Sequence, residues 1–193
     1  MARASLKEKI LQEGLRVVHE KGFCASSVRD IVQAAGVPQG SFTNHFASKE
    51  AFGLEILNLY FENSQQLIHD TLLKDSKKPI KRLRAYLDAH KKMLDAGFLE
   101  KGCLYGNFTA EASENSEMIR QRLVEIYDWL RECVEYCLKA AIAAQELPES
   151  FPTKEVASFI ISSLQGAMLV GKADRNTSTM QAFINVLFSN VLR

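Results

Sequence analysis

The chain has 193 residues, 47% of them apolar and 24% charged, and a net charge of +1. That length holds one substantial core or a small domain fused to a larger one, and the composition excludes a disordered or fibrous chain. A near-neutral balance excludes nucleic-acid binding by bulk attraction alone, four scattered cysteines exclude a disulfide framework, and no apolar run approaches the roughly 18 residues of a membrane span.

Almost every segment reads as helix, so the fold class expected is all-α, with about nine helices. Ser5 and Glu8 form a capping box, and Leu6, Ile10, Leu11, Leu15 and Val18 mark one apolar face of the first helix. Gly22 ends it, with Phe23 beneath the turn. Ser27 can cap a second helix over Val28 to Ala35. Gly36 ends that one, and Pro38 suits the first turn of a third. Ser48 caps a long fourth helix, which carries Phe52, Ile56, Leu59, Tyr60, Asn63 and Leu67.

Residues 74–78 form a polar break, and Pro79 restarts a helix. Gly97 and Gly102 bracket a loop before a short helix from Cys103 to about Ala112. After a polar turn at Ser113–Ser116, a long helix carries Ile119, Leu123, Ile126, Leu130, Cys133, Cys137 and Ala140. Their spacings of 4 and 3 make a bundle seam. Pro148 and Pro152 bound the next loop, and Thr153 can cap the helix after it. Two apolar helices close the chain. The expected domains are residues 1–48 and residues 49–193.

Charge is spread unevenly. Up to Glu50 seven basic residues (Arg3, Lys7, Lys9, Arg16, Lys21, Arg29, Lys49) face five acids, which gives +2, and the remaining 17 basic and 18 acidic residues give −1. Mild positive charge at one end is compatible with DNA contact there. Lys7, Glu8 and Lys9 break any signal-peptide apolar stretch, so a cytoplasmic location is expected. No Cys/His cluster suggests a metal, no cofactor is implied, and no phosphate loop, GxSxG or HExxH motif points to an enzyme.

Gly36-Val37-Pro38-Gln39-Gly40-Ser41-Phe42-Thr43-Asn44-His45-Phe46-Ala47-Ser48-Lys49-Glu50 resembles the recognition-helix signature of TetR-family transcriptional regulators. The family pattern runs G-V-x-x-G-[ST]-[FL]-Y-x-[HY]-F-x-[SN]-K-[ED]. Gly22-Phe23 and Ser27-Val28-Arg29-Asp30-Ile31 fit the family's first two helices. The residues agree with a helix-turn-helix. Gly36 permits the left-handed turn, while Val28, Ile31, Val32, Val37, Phe42 and Phe46 can form a small core. Gln39, Ser41, Thr43, Asn44 and His45 remain as short polar groups able to reach base edges and phosphates in the major groove. Lys49 starts the next helix, where a phosphate is favoured. Ser27 and Arg29, at the start of the second helix, join this DNA-facing set. The family has Tyr, a phosphate contact, where this chain has Thr43. Thr43 is shorter, and a base or water contact would replace that one.

The resemblance implies a palindromic double-stranded DNA operator and a homodimer through the last two helices. It also implies a small-molecule effector bound by the C-terminal domain, which releases the DNA. Small residues in the last two helices (Ser162, Ser163, Gly166, Ala167, Gly171) allow close helix approach across such an interface. Residues 101–111, Lys-Gly-Cys-Leu-Tyr-Gly-Asn-Phe-Thr-Ala-Glu, resemble the G-C-[LF]-x-x-[NK]-[LF]-x-x-E segment of a subgroup, some of whose members sense electrophiles or oxidants. Cys103, at a helix start beside Lys101, has two features that stabilise a thiolate; an inert packing cysteine is the alternative. Cys133 and Cys137 are expected in the core, with pairing to Cys103 or metal binding as the other reading. Tyr86, His90, Tyr105, Asn107, Trp129 and Gln165 are polar or aromatic residues on core-facing helices and are the candidate pocket lining. The function expected is therefore a DNA-binding regulator, most simply a repressor released by a small molecule, electrophile or oxidant. A constitutive architectural DNA-binding protein is the alternative, with an enzyme the remoter one.

Overall fold

A computed structural model describes residues 5–193, which hold nine α-helices and no strand. Arg3, counted above among the basic residues, lies outside the described residues. The chain divides into two compact units. One comprises the residues up to Asn63 together with Leu104–Val124, and the other Ser64–Cys103 together with Glu125–Arg193.

The first unit begins with α1 (Leu6–Lys21), α2 (Val28–Ala34) and α3 (Gly40–His45). Ser5 and Glu8 close the expected capping box on α1, and Gly22 ends the helix at a φ of 90°. The buried face of α1 is Ile10, Gly14, Val17, Val18 and His19, rotated from the sequence expectation, and Leu6 is exposed. The cause is Gly14: a side chain there would collide with the Phe52 ring, so the missing Cβ lets that ring approach the helix.

Ser27 caps α2, and Asp30 completes a second capping box that the sequence reading overlooked. Gly36 takes a φ of 60° at the turn. Pro38 falls two residues short of α3 instead of sitting in its first turn, because the chain first makes tight turns from Pro38 to Ser41 and from Gln39 to Phe42. The helix α4 (Lys49–Asp70) starts on the Ser48 hydroxyl, which accepts the Ala51 N–H at 3.0 Å.

Phe42, Phe46 and Phe52 form a ring cluster with centroids 5.0–5.3 Å apart, closed by the fully buried Ile10, Ile31 and Ile56. Each such side chain contributes about 1.5–3 kcal/mol by leaving water. Val28 and Val37, also expected in this core, are half-buried at its edge. The unit is completed by α6 (Leu104–Ala112) and the first turns of α7 (Glu117–Ala143). Phe23 stacks on Phe108 at 4.8 Å and lies against Gly53, where a Cβ would be 2.7 Å from its ring. The sequence-derived residues 1–48 fall wholly within this unit, and the division between units runs inside α4 and inside α7.

The second unit holds α5 (Pro79–Met93), which continues into a π-helical turn at Leu94–Phe98 broken by Gly97. It also holds the rest of α7, then α8 (Thr153–Asp174) and α9 (Ser178–Val186). The α7 seam begins as expected but drifts to Val134, Leu138 and Ala141, because a straight helix turns every 3.6 residues, not 3.5. Thr153 does not cap α8. It is the first helical residue, and its hydroxyl donates to the Glu135 carboxylate on α7 at 3.3 Å.

The sequence did not announce a buried arginine. Arg82 on α5 is 3% exposed; its guanidinium donates to the Leu72 carbonyl and to Asp75, and the Tyr136 hydroxyl also donates to Asp75. The helix α8 is long and apolar enough to cross a membrane by length and composition, contrary to the expectation from runs of residues. Its uncharged stretch from Val156 to Gly171 includes serines and glycines. One side, with Ile160, Ile161, Leu164 and Met168, is buried within the unit, and the other shows Phe159, Leu169 and Val170 to the outside.

Candidate nucleic-acid interface and effector region

The small core of the first unit fixes what α3 presents. Phe42 and Phe46 point inward, and the alternating residues Gln39, Thr43, Asn44 and His45 are left exposed, with Ser41 half-buried. Arg29, the second residue of α2, is exposed. The Ser27 hydroxyl is engaged in its capping box, accepting the Asp30 N–H at 3.1 Å and donating to the Asp30 carboxylate. That hydroxyl, followed by the Lys21 ammonium, holds the Asp30 carboxyl well below the usual carboxylate range. Asp30 thereby stays ionised and keeps Lys21 beside it at 2.9 Å.

Two residues differ in disposition from a simple phosphate-facing picture. The Thr43 hydroxyl donates back to the Gly40 carbonyl at 3.1 Å, within its own helix. The Lys49 side chain turns toward the loop after α1: its ammonium donates to the Cys24 carbonyl at 3.2 Å and lies 4.8 Å from the centre of the Phe23 ring.

Among the candidate pocket residues, the structure brings Tyr86 and His90 together on α5. Tyr86 is buried, and its ring meets the half-buried His90 ring edge-on at 4.5 Å. His90 Nδ1 lies 2.9 Å from the Tyr86 carbonyl, which can only accept, so Nδ1 carries the proton and Nε2 is an acceptor in the neutral ring. Burial pushes the imidazole pKa down, favouring that neutral form. Tyr105, buried on α6 in the first unit, meets Tyr60 edge-on at 4.9 Å, and Asn107, two residues further on, is half-buried. Trp129 on α7 and Gln165 on α8 are half-buried in the second unit.

Cys103 is half-buried and immediately precedes Leu104, the first residue of α6. Cys133 and Cys137 are core residues whose thiols burial pushes up to about 11, and the Cys137 thiol donates to the Pro79 carbonyl at 3.2 Å. Sequence reasoning quoted Glu111 only as part of a pattern. Its carboxylate accepts the N–H of Cys24, 87 positions away, and no local signal foretells a pairing at that separation.

Residues 10–56 match the family model of bacterial regulatory proteins of the tetR family, and residues 79–187 match that of the tetracyclin repressor-like C-terminal domain. A protein named HTH-type transcriptional repressor DhaR, from Mycobacterium sp. strain GP1, is 36% identical over 192 residues, covering 100% of this chain and 95% of its own length. A regulatory protein TetR from Rhodobacter sphaeroides shares the fold at a TM-score of 0.87 and 26% identity, covering 94% of this chain and 97% of its own. The reduced form of E. coli NemR superposes with a TM-score of 0.86 at 23% identity, over 97% and 98% of the two chains, a likeness of fold. With more than half of its length matched by one family model and its N-terminal helices by another, the chain belongs to the TetR family of DNA-binding bacterial transcriptional regulators.

Proposed function

We propose that this chain is a homodimeric cytoplasmic repressor that binds a palindromic operator and releases it when a small molecule enters the second unit. The observation that carries the DNA half of the reading is the exposure of Gln39, Thr43, Asn44 and His45 around the buried Phe42 and Phe46. These short polar groups have the reach for base edges, with Ser27, Arg29, Ser41 and Lys49 beside them. The repressor half is supported by the name of the relative that aligns along the whole chain. The dimer half is supported by the outer side of α8 and α9. Phe159, Leu169, Val170 and Val186 are each 44–69% exposed there, beside the small exposed residues Ser162 and Gly166. A stripe of large apolar and small groups on two neighbouring helices is what a four-helix interface requires.

For the effector, Tyr86 and His90 offer an aromatic wall and an Nε2 acceptor suited to a neutral ligand with a hydrogen-bond donor. Trp129 and Gln165, half-buried in the same unit, join them as candidates. Cys103 favours a second signal, an electrophile or oxidant, because it sits at the start of α6, where the helix dipole stabilises a thiolate. The test is a mobility-shift titration on DNA from around the protein's own gene. The reading expects a sequence-specific shift lost in Gln39→Ala. A wild-type protein that shifts no fragment more tightly than random DNA would overturn it. Equal sensitivity of wild type and Cys103→Ser to N-ethylmaleimide would remove the cysteine from the signal.

A further inference from the structure

We propose that Lys9 is a phosphate contact of the reading head, taking an operator phosphate beside the turn that leads into α3. The proposal rests on the operator-binding reading above. Most cations of the head are already committed. Lys7 pairs with Glu55 at 2.7 Å, Arg16 with Glu13 and Glu20 at 3.2 and 3.1 Å, and Lys21 with Asp30 at 2.9 Å. Lys49 is turned onto the Cys24 carbonyl and the Phe23 ring. Among the described residues of α1 to α3, Lys9 and Arg29 are the two cations without an acidic partner, and only Arg29 was expected at the DNA.

The acids within reach of Lys9 along its own helix are spoken for. Glu8 accepts the Ser5 N–H at 2.8 Å, and Glu13 holds Arg16. Lys9 is exposed, and its ammonium rests against the glycine turn: a Cβ on Gly36 would lie 3.7 Å from Nζ, with no other atom within 4 Å. An unneutralised ammonium therefore stands at the entry to the recognition helix. The head has a place for it, since Thr43 has neither the length of the family's Tyr nor a free hydroxyl proton, which goes to Gly40. A lysine reads a phosphate as a point charge, so this contact adds affinity and register but no sequence preference.

The experiment is operator binding by full-length wild type, Lys9→Gln, Lys9→Arg and Lys7→Gln across a series of salt concentrations. A phosphate contact releases about one counterion, so Lys9→Gln is expected to flatten the slope of log K against log salt by about one. Its affinity should fall several-fold on operator and on random DNA alike. Lys9→Arg should keep the slope, and Lys7→Gln, which removes a cation already paired with Glu55, should change it less than Lys9→Gln. An unchanged slope and affinity in Lys9→Gln overturns the assignment, as does an equal loss in Lys7→Gln. Failure of the wild type itself to bind any fragment specifically would instead sink the operator reading, so the two failures are told apart.

Discussion

The carboxylate of Glu111 on α6 accepts the backbone N–H of Cys24 in the loop after α1 at 2.9 Å, and the Cys24 thiol donates to the Glu111 carbonyl at 3.2 Å. A Cβ on Gly22 would stand 2.7 and 2.9 Å from the two carboxylate oxygens, so the glycine serves both its positive φ and this approach. The reading helices are thus clasped to a segment some ninety residues further along the chain. Glu111→Ala should cost about 1 kcal/mol of stability by removing this bond, read as a lower urea midpoint. It should also speed hydrogen exchange at the Cys24 amide. Wild-type protection of that amide in the variant would show that the clasp contributes nothing.

The capping box at the start of α2 makes a prediction with a pH signature. Ser27→Ala should destabilise the protein by about 1 kcal/mol. Asp30 has a folded-state pKa lowered from its ordinary 3.8, chiefly by the Ser27 hydroxyl and then by Lys21. A lowered carboxyl pKa adds stability above 3.8 and loses it as the pH falls below that value. The gap in melting temperature between wild type and Asp30→Asn should therefore be constant near neutral pH and shrink below about pH 4. A gap that does not change with pH would refute the linkage.

Leu169, 69% exposed on α8, lies in the apolar stripe assigned to the dimer. Leu169→Glu changes nothing buried within the chain but would bury a charge in a two-fold interface. It should give a folded monomer in sedimentation and weaken operator binding at least about tenfold, since each operator half-site is then bound alone. A dimer of unchanged dissociation constant would place the interface elsewhere.

The thiols should separate by reactivity. Cys24 is exposed, whereas Cys133 and Cys137 are buried with thiols raised to about 11. At pH 8 a group of that pKa is ionised in roughly one molecule in a thousand, and the reagent has no access. An aromatic disulfide reagent should label Cys24 in the native protein and reach Cys133 and Cys137 only as it unfolds. Because the folded pKa exceeds the ordinary 9.0, their contribution holds below pH 9 and is lost as the pH climbs toward 11, so unfolding should ease in that range.

The helices, their caps and the buried Phe42 and Phe46 were legible because periodicity and capping are local. Gly22, Gly36, Ser48 and Pro79 each sit where the sequence placed them. The misplacements share one cause. The buried face of α1 turned toward Gly14 because Phe52, nearly forty residues away, fills the space its missing side chain leaves. Thr153 lost its capping role to Glu135 on α7, and the Arg82–Asp75 pair depends on a chain reversal. Such partners are set by the fold, and a linear pattern cannot name them. In the proposed DNA-facing set, the residue types could be read from the motif, but the inward turn of Lys49 depends on where the fold puts the Cys24 carbonyl and the Phe23 ring.

The interrupted makeup of the first unit bears on how such regulators can be recombined. Residues 1–48 look like a cassette that could be cut out and grafted onto another sensor. Yet Phe23 finishes its packing on Phe108, and Cys24 finishes its hydrogen bonding on Glu111. A graft cut at residue 48 would carry an orphaned aromatic face and an unmet amide into a host that lacks both partners. A transplant that runs to Asn63, so that Phe52 and Ile56 stay in the core, and takes the α6 segment along keeps these contacts, so the exchangeable module of this protein is two pieces of chain, not one.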